Sequence, residues 1–481
     1  MKGSTSFAVA AAFACAALAG CQSAAVRSLA EYRADQAESR NMQLVGYNDL
    51  QNRSAYQPLI HKQGGRYIAY IGHHGGTHVN PMTGKEEFNG TSLVDVTEPK
   101  APKYLAHIPG APGGPESGGA QMVQVCDGAQ LPNADRGKVY LLRSLGNIAH
   151  EMWDVTAPEK PVMITTIVKG LKGTHKNWWE CDTGVAYLIS GDPQWHSRRM
   201  TKIYDLSNPA KPVFIRDFGR PGDEPSAKGP APEALHGPIS TGPKGNRIYF
   251  GYGTNHNGAV QIVDREKLLK GPSEPTPQNL LAPQVSQLLM PSFHGAHTAL
   301  PLLGMPMAEF RNNKVGGTKD FVMIVDEQIV NECLEARQMV FFVDVSDEKK
   351  PMVVSNFNVP EAPGGYCARG GRFGAHSSNE FFPPMYDKRV AFITLFNAGV
   401  RAVDIRDPYN PKEIGYYIPA ITAKTDKRCV KTEKGEQCKI AIQSNNVEVD
   451  DRGYVYVVDR ADTGVHVLEL TGSAREVADF K

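Results

Sequence analysis

The feature that most constrains this chain is a repeat built around an aspartate and a proline. The segments TSLVD at 91, HEMWD at 150, TKIYD at 201, VFFVD at 340 and VRAVD at 400 each run an apolar stretch into an Asp, with a Pro seven positions later. The pairs are Asp95 and Pro102, Asp154 and Pro161, Asp205 and Pro212, Asp344 and Pro351, and Asp404 and Pro411. Weaker copies surround Asp264 and Glu469, which makes seven. A unit of this size cannot bury its apolar face alone, so the copies must stack.

The chemistry of the unit says how. A carboxylate ending a strand can accept from backbone amides of the following turn, and the Ser, Thr and Pro residues there favour that turn. The second Pro cannot donate to a ladder, so it opens an edge strand. A further β-rich run precedes each unit, as in GKVYLLRS at 137, NRIYFGYG at 246 and GYVYVVD at 453, and a polar-led strand comes before that. Four strands per repeat of about 50 to 60 residues is the blade of a propeller. The last repeat stops after VHVLELTG without an outer strand, whereas residues 41–49, NMQLVGYND, form an outer strand without a blade. The expected fold is therefore all-β, a seven-bladed β-propeller closed by its N-terminal strand, which removes a sheet edge.

These repeats resemble those of the bacterial LVIVD-repeat proteins, named for the strand that ends in this Asp. The resemblance covers nearly all of residues 41–470 and implies a propeller in an extracytoplasmic setting, without implying a reaction. Such repeats often begin the first strand of the blade with a His. The matching positions here are Gln57, Gln121, His175, His236, His297, His376 and Asn445.

Equivalent positions of every blade face the axis alike, so these seven side chains should ring one mouth of the channel, with His in four consecutive blades. Two readings of the ring stand side by side. The imidazoles could hydrogen-bond neighbouring backbone, or His175, His236, His297 and His376 could hold a divalent transition metal such as Fe, Cu, Zn or Ni. The arrangement is similar in outline to carotenoid-cleaving oxygenases, propellers that hold iron with four His, although no motif of that family is present. Loops on the same face carry His73, His74, His78, His196, His256 and His294, with Trp195, Arg198, Arg199, Arg369, Arg372 and Arg460. Glu180, Glu380 and Glu448 lie a few residues into inner strands, where carboxylates could orient ligand imidazoles. No GxSxG, HExxH, P-loop or CxxC motif offers another chemistry.

The N-terminus sets the expected compartment. Met1 and Lys2 precede an apolar run from Phe7 to Leu18, too short to span a bilayer, and Leu18-Ala19-Gly20-Cys21 resembles the lipobox of bacterial lipoproteins. That resemblance implies a signal peptide over 1–20 and lipid on Cys21. With Gln22 rather than Asp following, it implies an outer-membrane anchor holding the protein on the periplasmic or outer surface. Residues 21–40 read as the lipidated Cys and a linker, and 41–481 as the propeller. The balance of 52 basic to 51 acidic residues argues against a nucleic-acid partner. Beyond Cys15 in that apolar run and Cys21, six cysteines remain, an even number that suits an oxidising compartment. The blade alignment pairs Cys126 with Cys181, Cys333 with Cys367, and Cys429 with Cys438.

Two functions of different classes are expected from these residues. One is a metal-dependent enzyme, oxidoreductase-like, acting on a small substrate at the channel mouth. The other is a non-catalytic binding or scaffold lipoprotein holding a protein or small-molecule ligand at the envelope.

Overall fold

The computed structural model describes residues 34–308 and 317–481; the expected signal peptide, Cys21 and the expected linker up to residue 33 lie outside them. Within them the chain folds as a seven-bladed β-propeller of four-stranded antiparallel sheets, one of them extended by an extra strand and another by a short one. Blade one runs from Ala55–Gln63 to Lys103–Ile108 and blade two from Val123–Asp127 to Val162–Lys169. Blade three runs from Trp178–Trp179 to Val213–Phe218, blade four from Leu235–Ser240 to Gln284–Leu289 and blade five from Thr298–Pro306 to Met352–Phe357. Blade six runs from Ser377–Ser378 to Lys412–Ile418, and blade seven takes Ser444–Val449, Val455–Asp459 and Val465–Leu470 from the C-terminal end.

The repeat works as its chemistry requires. In five blades the Asp carboxylate accepts from the amide two residues on: Thr97 to Asp95 at 2.9 Å, Thr156 to Asp154 at 3.0 Å, Ser207 to Asp205 at 2.7 Å, Ser346 to Asp344 at 2.9 Å and Arg406 to Asp404 at 3.0 Å. The outermost strand of each follows the second Pro. In blade four Asp264 instead caps the short helix Arg265–Lys270, accepting from the Lys267 amide at 3.0 Å. That helix replaces the Pro turn.

The blades adhere through seven apolar clusters, each between two neighbours. Blades one and two share Tyr70, Leu93 and Leu141, whereas blades five and six share Phe321, Phe342 and Ile393. Each fully buried side chain of this kind contributes roughly 1.5–3 kcal/mol. The cluster that closes the ring joins Ala69, Ile71 and Val94 of blade one to Tyr456, Val458 and Val467 of blade seven.

Closure is completed by the N-terminal strand Met42–Asn48, which pairs antiparallel with Val465–Leu470 as the fourth strand of blade seven. The sheet contacts of the N-terminal segment begin earlier than expected. Glu38–Arg40 is not linker but a fifth strand on blade six, paired with residues 416–418 and tied by Arg40 to Glu413 at 2.7 Å. Three disulfides are present with the expected partners: Cys126–Cys181 between blades two and three, Cys333–Cys367 between two loops, and Cys429–Cys438 across a hairpin.

Candidate metal centre at the channel mouth

Because each inner strand starts on the same face, the residues just before or at its head converge. His175, His236, His297 and His376 do so, and none is more than 5 % exposed. The Nε2 atoms of His175 and His236 are 2.6 Å apart, with the rings nearly perpendicular. Ring centroids of His236 and His297 are 3.6 Å apart, and those of His297 and His376 are 4.7 Å apart. The four imidazoles thus form one continuous cluster.

Their protonation follows from burial. All four are held well below the usual imidazole range, chiefly by desolvation and then by neighbouring positive groups, so they are neutral at pH 7. His376 Nδ1 lies 2.6 Å from the Asn445 carbonyl, which only accepts, so Nδ1 carries the proton and Nε2 a lone pair. His297 Nδ1 is fixed by Thr298 Oγ1 at 3.1 Å. Left without partners are Nε2 of His297 and His376 and Nδ1 of His175 and His236. Unpaired buried polar atoms are costly, and neutral imidazoles with free nitrogens are the ligand form.

A carboxylate completes the cluster. Glu327 follows the second strand of blade five and places its oxygens 4.0 Å from His297 Nε2 and 3.7 Å from His376 Nε2. Ligand atoms of His236, His297 and Glu327 all lie within 4.8 Å of one another. Metal–nitrogen bonds of about 2.0–2.1 Å set tetrahedral ligand atoms roughly 3.4 Å apart, so the most separated of these atoms would have to close by on the order of 1 Å to share an ion. Burial raises the Glu327 carboxyl, and Arg372 at 3.0 Å opposes that. A second group, Cys429, Glu436 and Cys438, has the spacing of a site, but its sulfurs form the hairpin disulfide and offer no thiolate.

The remaining ring positions agree except in blade one. Gln121 reaches His74 Nδ1 at 3.3 Å, and Asn445 donates to the Tyr56 carbonyl at 3.1 Å. The blade-one member is Tyr56, not Gln57: its hydroxyl is 3.1 Å from His175 Nε2, while Gln57 lies a step lower, paired with Asn446. The pairing of the first two strands is irregular between Ala55 and Pro58, which moves the alignment by one residue.

Of the loop imidazoles, only His74 joins the cluster, fully buried 5.0 Å from the Tyr56 ring centroid with its Nε2 unpaired. His73 is bonded to Ser92 and His196 to the Gly222 carbonyl. His78 contacts Asn89, His294 pairs with Asp326 at 2.7 Å, and His256 stays exposed near Glu233. None of the three inner-strand carboxylates orients a ligand imidazole. Glu180 is locked to Arg265 at 2.6 Å between blades three and four, Glu380 pairs with Lys176, and Glu448 accepts from the amides of Glu380 and Phe381. A backbone carbonyl and a hydroxyl hold the imidazoles instead.

Glu380 and Glu448 face the other mouth, where a cavity of about 430 Å³ is lined by Trp178, Phe381, Tyr67 and Leu59 among others. His61 lies there too, bonded to Asp127 at 3.0 Å. Comparison of the chain with models of known families and with curated proteins found no match in either.

Glu327 and Tyr56 are the functional candidates that sequence reasoning missed. Glu327 was findable, since it sits in a loop between second and third strands, on the face already marked by His. Tyr56 was hidden by the irregular pairing.

Proposed function

We propose that this chain is a lipid-anchored envelope propeller of the LVIVD-repeat type, whose channel mouth binds a divalent transition metal and carries out oxidoreductase-like chemistry on a small substrate. The observation that carries the reading is the cluster of four buried, neutral imidazoles from consecutive blades, four of whose ring nitrogens have no partner. Neutral imidazole nitrogens left unpaired and gathered at one point are in the form that takes up a metal ion. His175, His236, His297 and His376 would hold the ion with Glu327, and the ion would supply Lewis acidity or electron transfer at a site closed to bulk water. The donor set of imidazole with one carboxylate suits Fe, Cu, Zn or Ni alike.

Around it the chain's own residues have separate tasks. Asn445 and Thr298 fix the orientations of His376 and His297, while Arg372 opposes the upward pull of burial on the Glu327 carboxyl. Metal analysis of protein purified from the periplasm tests the reading. Near-stoichiometric metal in the wild type, lost in His236→Ala and His297→Ala, is expected; metal-free protein that refuses added Fe, Cu, Zn and Ni refutes it. A second reading, a non-catalytic binding or scaffold lipoprotein, draws on the cavity at the opposite mouth, whose aromatic and acidic lining needs no metal to hold a ligand.

A further inference from the structure

The surroundings of the imidazole cluster are unbalanced in charge. Arg199, Arg372 and Arg460 approach it from the loops, and only Glu327 and Glu116 answer them. Arg372 is spent on Glu327 at 3.0 Å and Arg460 on Glu116. Among the described residues Arg199 makes no ion pair, and its Nε is buried without a hydrogen-bond partner. After burial, its positive charge is the strongest influence holding His175 neutral, and it acts on His236 and His297 as well. The backbone places Arg199 beside the cluster as well, since the amide of Leu235, next to His236, donates to the Arg199 carbonyl at 3.4 Å. Exposed Arg198 beside it deepens the excess, and Glu116 and Glu327 oppose it without reaching it in an ion pair. The four imidazoles are neutral and compensate nothing.

A partly buried guanidinium with an unpartnered Nε and no carboxylate in contact is a costly arrangement unless something else supplies the anion. Its planar fork matches the two oxygens of a carboxylate or phosphate. Arg199 is half-buried rather than sealed, so a small molecule entering through the loops reaches it before the imidazoles. We propose that the channel mouth takes a small oxyanionic substrate, one bearing a carboxylate or phosphate group, with Arg199 as its anchor. For the chemistry that follows, this rests on the metal reading; for binding it does not, because the excess charge belongs to the protein.

The test uses the folded protein after treatment with a chelator, titrated calorimetrically with oxalate and, in a separate arm, with inorganic phosphate, against a sodium chloride background. Binding of at least one anion is expected, weakened about tenfold or more in Arg199→Gln, which corresponds to about 1.4 kcal/mol. Arg199→Lys, which keeps the charge but not the fork, should lie between the two. Equal affinity in all three proteins, or no binding above the chloride background in either arm, overturns the proposal. Labelling of the wild type with phenylglyoxal gives a reading independent of how the variants fold. Arg199 should be labelled in the free protein and protected by the bound anion, and labelling that no anion changes also overturns it. Metal content is measured on separate samples, so a protein that binds the anion without metal refutes only the metal site, and one that binds metal without the anion refutes only this proposal.

Discussion

Gly46 provides the sharpest single-residue test of how the ring is held shut. It lies in the closing strand, where that strand crosses the Asp–Pro turn of blade one. A Cβ added there would stand 3.0 Å from the Pro99 carbonyl carbon, 3.1 Å from Pro102 Cδ and closer still to the Pro99 oxygen. Carbon and oxygen settle at about 3.3 Å or more, so either strand or turn must move by on the order of 1 Å. Both are backbone, and neither yields cheaply. Overpacking of this kind costs about 1–3 kcal/mol. Unfolding entropy of about 2.1 cal/mol/K per residue over a ring of roughly 440 residues is about 0.9 kcal/mol/K, so Gly46→Ala should lower Tm by about 1–3 °C. The fair reference is Gly137→Ala, at an exposed turn where the new methyl meets nothing closer than Asp135 Oδ1 at 3.6 Å. Both variants lose the same freedom in the unfolded chain, which by itself stabilises slightly. Hydrogen exchange should show residues 465–470 exchanging faster in Gly46→Ala alone. If the two variants melt together and those amides stay protected, the strand does not close the ring as described.

Other expectations follow from the site and the cross-links. His236→Ala should abolish metal binding, whereas His61→Ala, at the opposite mouth, should leave metal content unchanged when assayed in parallel. Because burial depresses the cluster imidazoles well below 6.5, their neutral form persists as pH falls through that value and is lost only under more acidic conditions. Bound metal should therefore be retained at pH 5.5 as fully as at pH 7.5, and release centred near pH 6.5 would contradict the burial account. Replacing Cys126 and Cys181 together by Ser should cost about 4 kcal/mol on the loop-closure model for a separation of 55 residues, against about 2.6 kcal/mol for Cys429 and Cys438 at a separation of 9. Denaturant titration of the two double variants ranks them, and the reverse order would argue against chain entropy as the cause.

The sequence made the fold legible because each blade announces itself locally. An Asp that caps its own turn and a Pro that must stand at an edge are constraints read within about ten residues, and five copies fix the period. The missing outer strand at one end and the orphan strand at the other then specified closure. The site was legible only where it obeyed the same repeat, as His175, His236, His297 and His376 do. It failed where tertiary structure broke the period. The irregular pairing near Pro58 exchanged Gln57 for Tyr56, and Glu327 lies in a loop that no repeat position marks. Glu180 was misplaced for another reason: Arg265, from the helix that replaces the turn in blade four, captures it between the blades.

The two N-terminal strands also decide how the molecule answers a pull. Tension arriving from upstream meets Ala34 on the Ile421 amide, then Glu38 on Arg369, then the short pairing of Glu38–Arg40 with blade six, all before it reaches Met42–Asn48. The first strand therefore acts as strain relief. Force applied to the chain upstream would have to peel these three residues from the flank of blade six before any load reached the seam. The imidazole cluster, which exists only while the ring is shut, stands behind that first strand.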